Sequence, residues 1–364
     1  MVGQIMKQAR NNEDASVSED DDEVDVAVVG NRMNSFDALR VTGALLVIYG
    51  HSFVLRGRTA PRLGEIPLHT LGVMIFFCIS GYLITQSAQR SRSWWTYLRN
   101  RLLRIIPGLA VVVLVSAFVI GPLLTSLSAS SYFSSTATWT YLQNLVLVGR
   151  YDLPGVFQDD VHARSAANGS LWTIGVEFLC YIGVLIVSLM PRRWYLPATI
   201  AAGCGLLALA AAVPGSSETA TLCALFAAAS LVARAPSVIE VRPSVALAAG
   251  VALVSLSMLA GASPILLVLG LPLLVLTVGR SDLPLVRDAA RFGDLSYGLY
   301  LWGYPVQQVI LTLIGVQATA LNFAIVTGVT ALLAVASWWL IERPALRFKA
   351  RPVRNLTRDT LPAQ

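Results

Sequence analysis

The sequence predicts an all-α fold, a polytopic integral membrane helical bundle of about ten transmembrane helices with both termini cytoplasmic. Three observations predict it. Of the 364 residues, 55% are hydrophobic and only 13% are charged, and the mean hydropathy is +0.65. A soluble domain carries roughly 25% charged residues, and this much apolar surface does not fit inside one soluble core. Apolar stretches long enough to cross a bilayer recur along the chain, centred near residues 47, 79, 114, 181, 205, 226, 252, 271, 305 and 331, each matching the requirement for about 20 apolar residues. Finally, the arginines gather in short connections between those stretches, the pattern of loops held on the cytoplasmic side.

Taken in order, residues 1–34 are polar and acidic, with an uninterrupted acidic run from Glu19 to Glu23. No signal-peptide pattern is visible there, and the segment reads as a disordered cytoplasmic tail. Residues 35–348 form the membrane domain, and 349–364 a basic cytoplasmic tail. The connection between spans two and three carries Arg90, Arg92, Arg99, Arg101 and Arg104 without an acid, and the chain ends with Arg343, Arg347, Lys349, Arg351, Arg354 and Arg358. An even number of spans puts both clusters inside, together with Arg192, Arg193 and the polar stretch 280–291. Arg56, Arg58 and Arg62 fall outside and run against this scheme. Residues 125–169 form the longest connection, on the outside; within it WTYLQNLVLV, Trp139 to Val148, is apolar but too short to span, so it reads as interfacial or re-entrant. Asp152, Asp159, Asp160 and Asn168 beside it are candidates to contact a polar acceptor.

Composition also excludes several classes. The net charge of +6 is explained by membrane orientation, so nucleic acid is not an expected partner. Cys78, Cys180, Cys204 and Cys223 lie in apolar runs without CxxC spacing and read as core-filling residues, with neither a disulfide framework nor a metal site indicated.

Arg40 and His51 are ionisable residues inside one apolar run. Eleven positions apart, they lie about three helical turns from each other, on the same face, with roughly 16 Å of axial separation. Ionisable groups in a membrane segment are costly and mark function. Glu177, a turn or two into the fourth span, is expected at about the depth of His51, so that imidazole and carboxylate could form an acid/base pair. The alternative is that each only satisfies a buried partner within the bundle. Arg99, Arg101 and Arg104 at the mouth of span three can hold phosphate oxygens through charge-assisted hydrogen bonds; topology signal and lipid contact explain Arg90 and Arg92 equally well. Ser80 and Gly81 interrupt a bulky helix and read as close-packing residues, since no GxSxG elbow surrounds Ser80. Ser296, Tyr297, Tyr300, Tyr304, Gln307 and Gln308 crowd one helix and suggest a polar cavity wall. Glu342-Arg343-Pro344 reads as a structural stop.

FDALRVTGALLVIYGH, with its arginine and histidine, resembles the opening motif of the acyltransferase family 3 membrane proteins, which O-acylate carbohydrates and related acceptors. LGVMIFFCISGYLI, RNRLLRIIPG, SLWTIGVEFLCY and LSYGLYLWGYP with ERP resemble the family's later motifs, in family order across residues 36–348. The resemblance implies that His51 is catalytic, that Arg40 is the arginine of the same helix, and that Arg101 and Arg104 serve acyl-donor binding. The residues themselves add Glu177 as a catalytic partner of His51, Arg40 and Arg99 to the donor-binding set, and Ser80, Trp172, Tyr181, Ser296, Tyr297 and Tyr300 as candidate acceptor or cavity residues. One departure stands out: Gly303 follows LYLW where many relatives carry histidine, which removes one candidate donor.

The expectation is therefore a bacterial inner-membrane O-acyltransferase that moves an acyl group, most plausibly acetyl, from acyl-CoA to a hydroxyl of a sugar or polysaccharide, with His51 as general base. Acyl-CoA enters as co-substrate and no cofactor is bound permanently; membrane lipids, acyl-CoA and the sugar acceptor are the expected partners. The alternative from another class is a proton-coupled transporter or exporter using His51, Glu177 and Arg40, although no internal repeat is visible. The acceptor, the acyl length and the oligomeric state are not legible in any motif.

Overall fold

The computed structural model describes residues 34–159, 162–213, 215–281 and 293–349. The acidic tail, most of the basic tail, the stretch 282–292 and Asp160 lie outside the described residues. The long helices are α1 (Asn34–Val54), α2 (Leu68–Arg90), α3 (Trp94–Val115), α4 (Trp172–Leu189), α5 (Tyr195–Ala212), α6 (Ser217–Arg234), α7 (Pro243–Leu259), α8 (Pro264–Arg280), α9 (Ser296–Ile314) and α10 (Thr319–Ser337). Nine of them fall near the expected centres, while α3 lies several residues before the expected 114, and the chain is a multi-pass membrane protein. Among the described residues, five stretches are long and apolar enough to cross a membrane: Leu68–Arg90, Trp94–Leu124, Gly169–Leu189, Arg192–Ala212 and Thr319–Leu346, while α7 and α8 are apolar but shorter. A count of ten spans is thus not established by length and composition. Among the described residues, β structure amounts to the hairpin Arg62–Leu63 with Ile66–Pro67, turning at Gly64 in the left-handed region (φ +57°), plus two isolated bridges.

Helices α1, α2 and α9 form the centre of the bundle, with α6 against α2, α10 against α9, and α7 against α8. Small residues set the closest approaches. A Cβ on Gly81 would lie 2.3 Å from the Phe226 carbonyl oxygen of α6, so Gly81 has the packing role that its size suggested. A Cβ on Gly303 would come within 2.8 Å of the Ile48 side chain, so a larger residue there, histidine included, requires Ile48 to repack.

Proline and a π-turn shape the ends. Pro305, inside α9, has no N–H to give to Leu301 one turn earlier; the buried Asn168 side chain donates to that carbonyl instead, at 3.0 Å. Helix α3 continues through a π-turn at Ser116–Ile120 into Gly121–Leu124. The loosened Ala117 carbonyl there accepts from Tyr132 at 2.8 Å, which seats the long connection on α3. Trp139, Val146 and Val148 remain exposed on that connection, a disposition suited to an interfacial segment. Arg56 donates to the Gln317 carbonyl (2.8 Å) and Thr319 (3.1 Å), so this arginine closes the α9–α10 turn, which accounts for one of the residues that ran against the charge scheme.

The cysteines correct one expectation. Cys78 is buried as a core residue, but Cys204 is exposed on α5, where a small apolar side chain can face lipid. Cys180 and Cys223 are free thiols whose sulfurs lie 3.6 Å apart.

Candidate active site

At one end of the bundle, called here the arginine end, three acids meet two arginines. Arg104 of α3 reaches Asp294 Oδ2 at 2.5 Å and Glu342 Oε2 at 3.0 Å. Arg40 of α1 lies 3.6 Å from both Asp37 and Asp294. Ser296 donates to Asp294 at 2.7 Å and Ser337 to Glu342 at 2.9 Å. The Arg104 guanidinium also stands over the Tyr297 ring, 5.2 Å from its centroid. Gly108, one turn along from Arg104, lets this packing close, since a Cβ there would meet Tyr297 at 3.0 Å and Glu342 at 3.3 Å. Burial alone would raise the Asp294 carboxyl, but Arg104, Arg40 and Ser296 together hold it below the usual carboxylate range. Arg104 is therefore occupied by carboxylates, and Glu342, 2% exposed, is the buried partner that makes the closing motif structural.

Arg101 is placed differently. Its Nη2 has a long contact to Ser87 (3.4 Å), and its Nε is buried without a partner among the described residues. Arg99 donates to the Phe348 carbonyl at 2.6 Å and fastens the start of the C-terminal segment. Beside them, the Lys349 ammonium is pushed down to about 8 by burial and then by Arg101, Arg104 and Arg40, with Asp294 opposing. This mouth carries an excess of positive charge once the pairs of Arg104 are set aside.

Helix α9 forms a wall leading away from the mouth. Tyr297 donates to the Ile105 carbonyl at 2.7 Å. One turn on, Tyr300 meets Thr173 (2.5 Å) and the Ser170 carbonyl (2.9 Å). A further turn on, Tyr304 meets His51 edge to face, ring centroids 5.1 Å apart. Beyond it Gln307 donates to Ile48 (2.7 Å) and Gln308 to the Arg164 carbonyl (2.7 Å). Most of these polar groups are satisfied by α1, α3 or the long connection.

Glu177 accepts from Ser80 at 2.5 Å and from Tyr181 at 2.7 Å, both on Oε1. It forms neither hydrogen bond nor ion pair with His51 among the described residues. The expected common depth is corrected by how α4 begins. The connection dips into the bundle before the helix starts, with Asn168 tied to Leu301 and Gly169 against the Tyr304 ring. Thr173 is therefore level with Tyr300, one turn below His51, and Glu177 lies a turn deeper still. That places it roughly 12 Å nearer the arginine end at 1.5 Å per residue. Ser80, read as a packing residue, is a donor to Glu177. Trp172 is partly buried against the core. Asn168 is fully buried, with its carbonyl on the Ser170 N–H (3.1 Å) and its amide on Leu301, so it is not free for an acceptor. Asp152 accepts from Ser165 (3.2 Å) and Asp159 engages His162 (2.5 Å).

His51 itself makes no hydrogen bond to a described residue. Its ring is stacked on His69 with centroids 5.2 Å apart and an interplanar angle of 26°. His69 was missed by sequence reasoning. The available signal was rarity, because the chain has three histidines, and His51, His69 and His162 all fall towards the same end of the bundle.

The bundle thus holds an imidazole without a hydrogen bond to any described residue at one end of α9 and surplus cationic groups at the other. A family model described as an acyltransferase domain matches residues 33–342, and the chain belongs to this family, acyltransferase family 3. The O-acetyl transferase of Shigella phage Sf6 is 36% identical over 44% of this chain and 47% of its own length. Nodulation protein 10 of Rhizobium leguminosarum bv. viciae is 29% identical over 44% of this chain and 46% of its own. A putative membrane-bound transacylase of Komagataeibacter xylinus is 26% identical over 88% and 85% respectively. The chain thus matches about half the length of the first two relatives. No solved structure gives a significant match.

Proposed function

We propose that the protein is an inner-membrane O-acyltransferase that carries an acyl group, acetyl in the first instance, from acyl-CoA to a hydroxyl of a sugar or polysaccharide. The observation that carries this reading is the His51 ring at the far end of the α9 wall, free of hydrogen bonds to the described residues, opposite a mouth where Arg101 keeps an Nε without a partner among them. The arginine end faces the cytoplasm and takes the nucleotide phosphates at Arg101, Arg40, Arg99 and Lys349. The pantetheine arm, long and thin, lies along Tyr297 and Tyr300, and the thioester reaches His51. His51 takes the proton of the acceptor hydroxyl as its oxygen attacks the thioester carbonyl carbon, and the departing CoA thiolate takes the proton back. Glu177, two turns deeper, holds Ser80 and Tyr181 along the arm rather than orienting the imidazole. Relatives named as an O-acetyl transferase and a transacylase favour this chemistry over a proton-coupled carrier.

The test is direct. Full-length protein in nanodiscs is given acetyl-CoA and a surface-polysaccharide extract from the source cells. Release of free CoA with a gain of acetyl mass on the glycan is expected; acetyl-CoA left intact would overturn the reading.

A further inference from the structure

We infer that His69 is a catalytic residue of the transfer site, its Nε2–H donating to the oxyanion that forms on the thioester carbonyl. This deepens the acyl-transfer reading above and rests on it.

Three features place His69 for the task. Its ring is stacked on His51, the proposed base, with centroids 5.2 Å apart. The backbone of α1 is notched for it: a Cβ on Gly50 would lie 2.8 Å from the His69 backbone nitrogen, Cβ and Nδ1. Glycine next to His51 is what allows the second imidazole to approach. The first turn of α2 is also fixed, since the Leu68 N–H bonds the Pro61 carbonyl (2.9 Å) and Thr70 donates to Glu218 of α6 (3.2 Å). The side chain is carried on a rigid element, as a preorganised donor must be.

The tautomer follows from the same contacts. His69 Nδ1 is buried against α1 and has no hydrogen-bond partner among the described residues. Orphaned buried N–H groups are rarer than orphaned acceptors, so Nδ1 holds the lone pair and Nε2, at the opposite corner of the ring, carries the proton. The pair of imidazoles then divides the work: His51 accepts a proton and His69 presents a hydrogen. In the step, the acceptor O–H proton moves to His51 and the new C–O bond forms. The carbonyl π electrons shift onto oxygen, where the His69 Nε2–H stabilises them. Collapse breaks the C–S bond, and the thiolate takes the proton from His51. His69 ends unchanged.

The experiment uses the nanodisc assay with acetyl-CoA as the varied substrate. His69→Ala is expected to lower kcat about 10²-fold, the loss typical of one oxyanion donor, with KM for acetyl-CoA within about twofold because the contact exists only in the transition state. His69→Gln, whose amide nitrogen reaches the Nε2 position, should recover part of that loss, and His69→Asn, whose amide falls at Nδ1, should not. Gly50→Ala, which displaces the ring, should resemble His69→Ala and add little to it in the double variant. Wild-type kcat in His69→Ala overturns the inference, as does equal activity of the Gln and Asn variants, which would mark a packing role. Wild-type protein that leaves acetyl-CoA intact overturns the acyl-transfer reading, and this inference with it.

Discussion

The side-chain amide of Asn168 donates at 3.0 Å to the carbonyl of Leu301, the acceptor that Pro305 leaves open within α9. One residue of a long connection thus repairs a helix next to His51, and holds the start of α4 deep in the bundle. Asn168→Ala is expected to leave a buried carbonyl unsatisfied, destabilising the protein by about 1–3 kcal/mol. Thermal unfolding in detergent measures this. Pro305→Ala, which supplies the missing N–H, should recover much of the loss in the double variant.

His51 touches rings but holds no hydrogen bond to a described residue, so its removal should not disturb the bundle. We expect His51→Ala to abolish CoA release while the protein elutes as a single species at unchanged yield. Turnover at the wild-type rate would remove His51 from the mechanism.

Arg101 and Arg104, one helical turn apart, should behave differently. Arg104→Ala uncovers Asp294 and Glu342 in a buried network, and breaking such a pair typically costs about 3–5 kcal/mol; a lower unfolding temperature is the readout. Arg101→Ala removes one long contact, so stability should hold while KM for acetyl-CoA rises. An unchanged KM would break the phosphate assignment.

Lys349 gives a pH dependence. Its ammonium is pushed down to about 8, so it is charged below that value and neutral above it. If it helps to hold the donor phosphates, KM for acetyl-CoA should rise between pH 7 and 9. Lys349→Arg, charged throughout, should flatten that rise, and an identical profile in the variant would exclude Lys349 from the donor site.

How much of this was legible in the sequence depends on what sets each feature. Arg40 and His51 sit on one helix, so helical periodicity alone relates them. The difference between Arg101 and Arg104 could not be read locally, because the partners of Arg104 lie 190 and 238 residues away. The depth of Glu177 escaped for a similar reason: it is set by where the connection enters the bundle, through Asn168 and Tyr304, and not by distance from the start of α4. His69 escaped because a short hairpin, invisible to apolar periodicity, delivers it to His51. Gly303 looked like a missing donor in the sequence; in the fold it is the contact surface for Ile48.

The rigid eleven-residue interval between Arg40 and His51 has a consequence for substrate choice. A single α-helix cannot shorten, so its two ends act as a caliper set near 16 Å. A donor whose reactive carbon lies one oxygen away from its phosphorus, as in an acyl phosphate, cannot close that gap however reactive it is. Selection by reach, rather than by intrinsic chemical activation, would let such a protein ignore the most energetic small acyl donors in the cell.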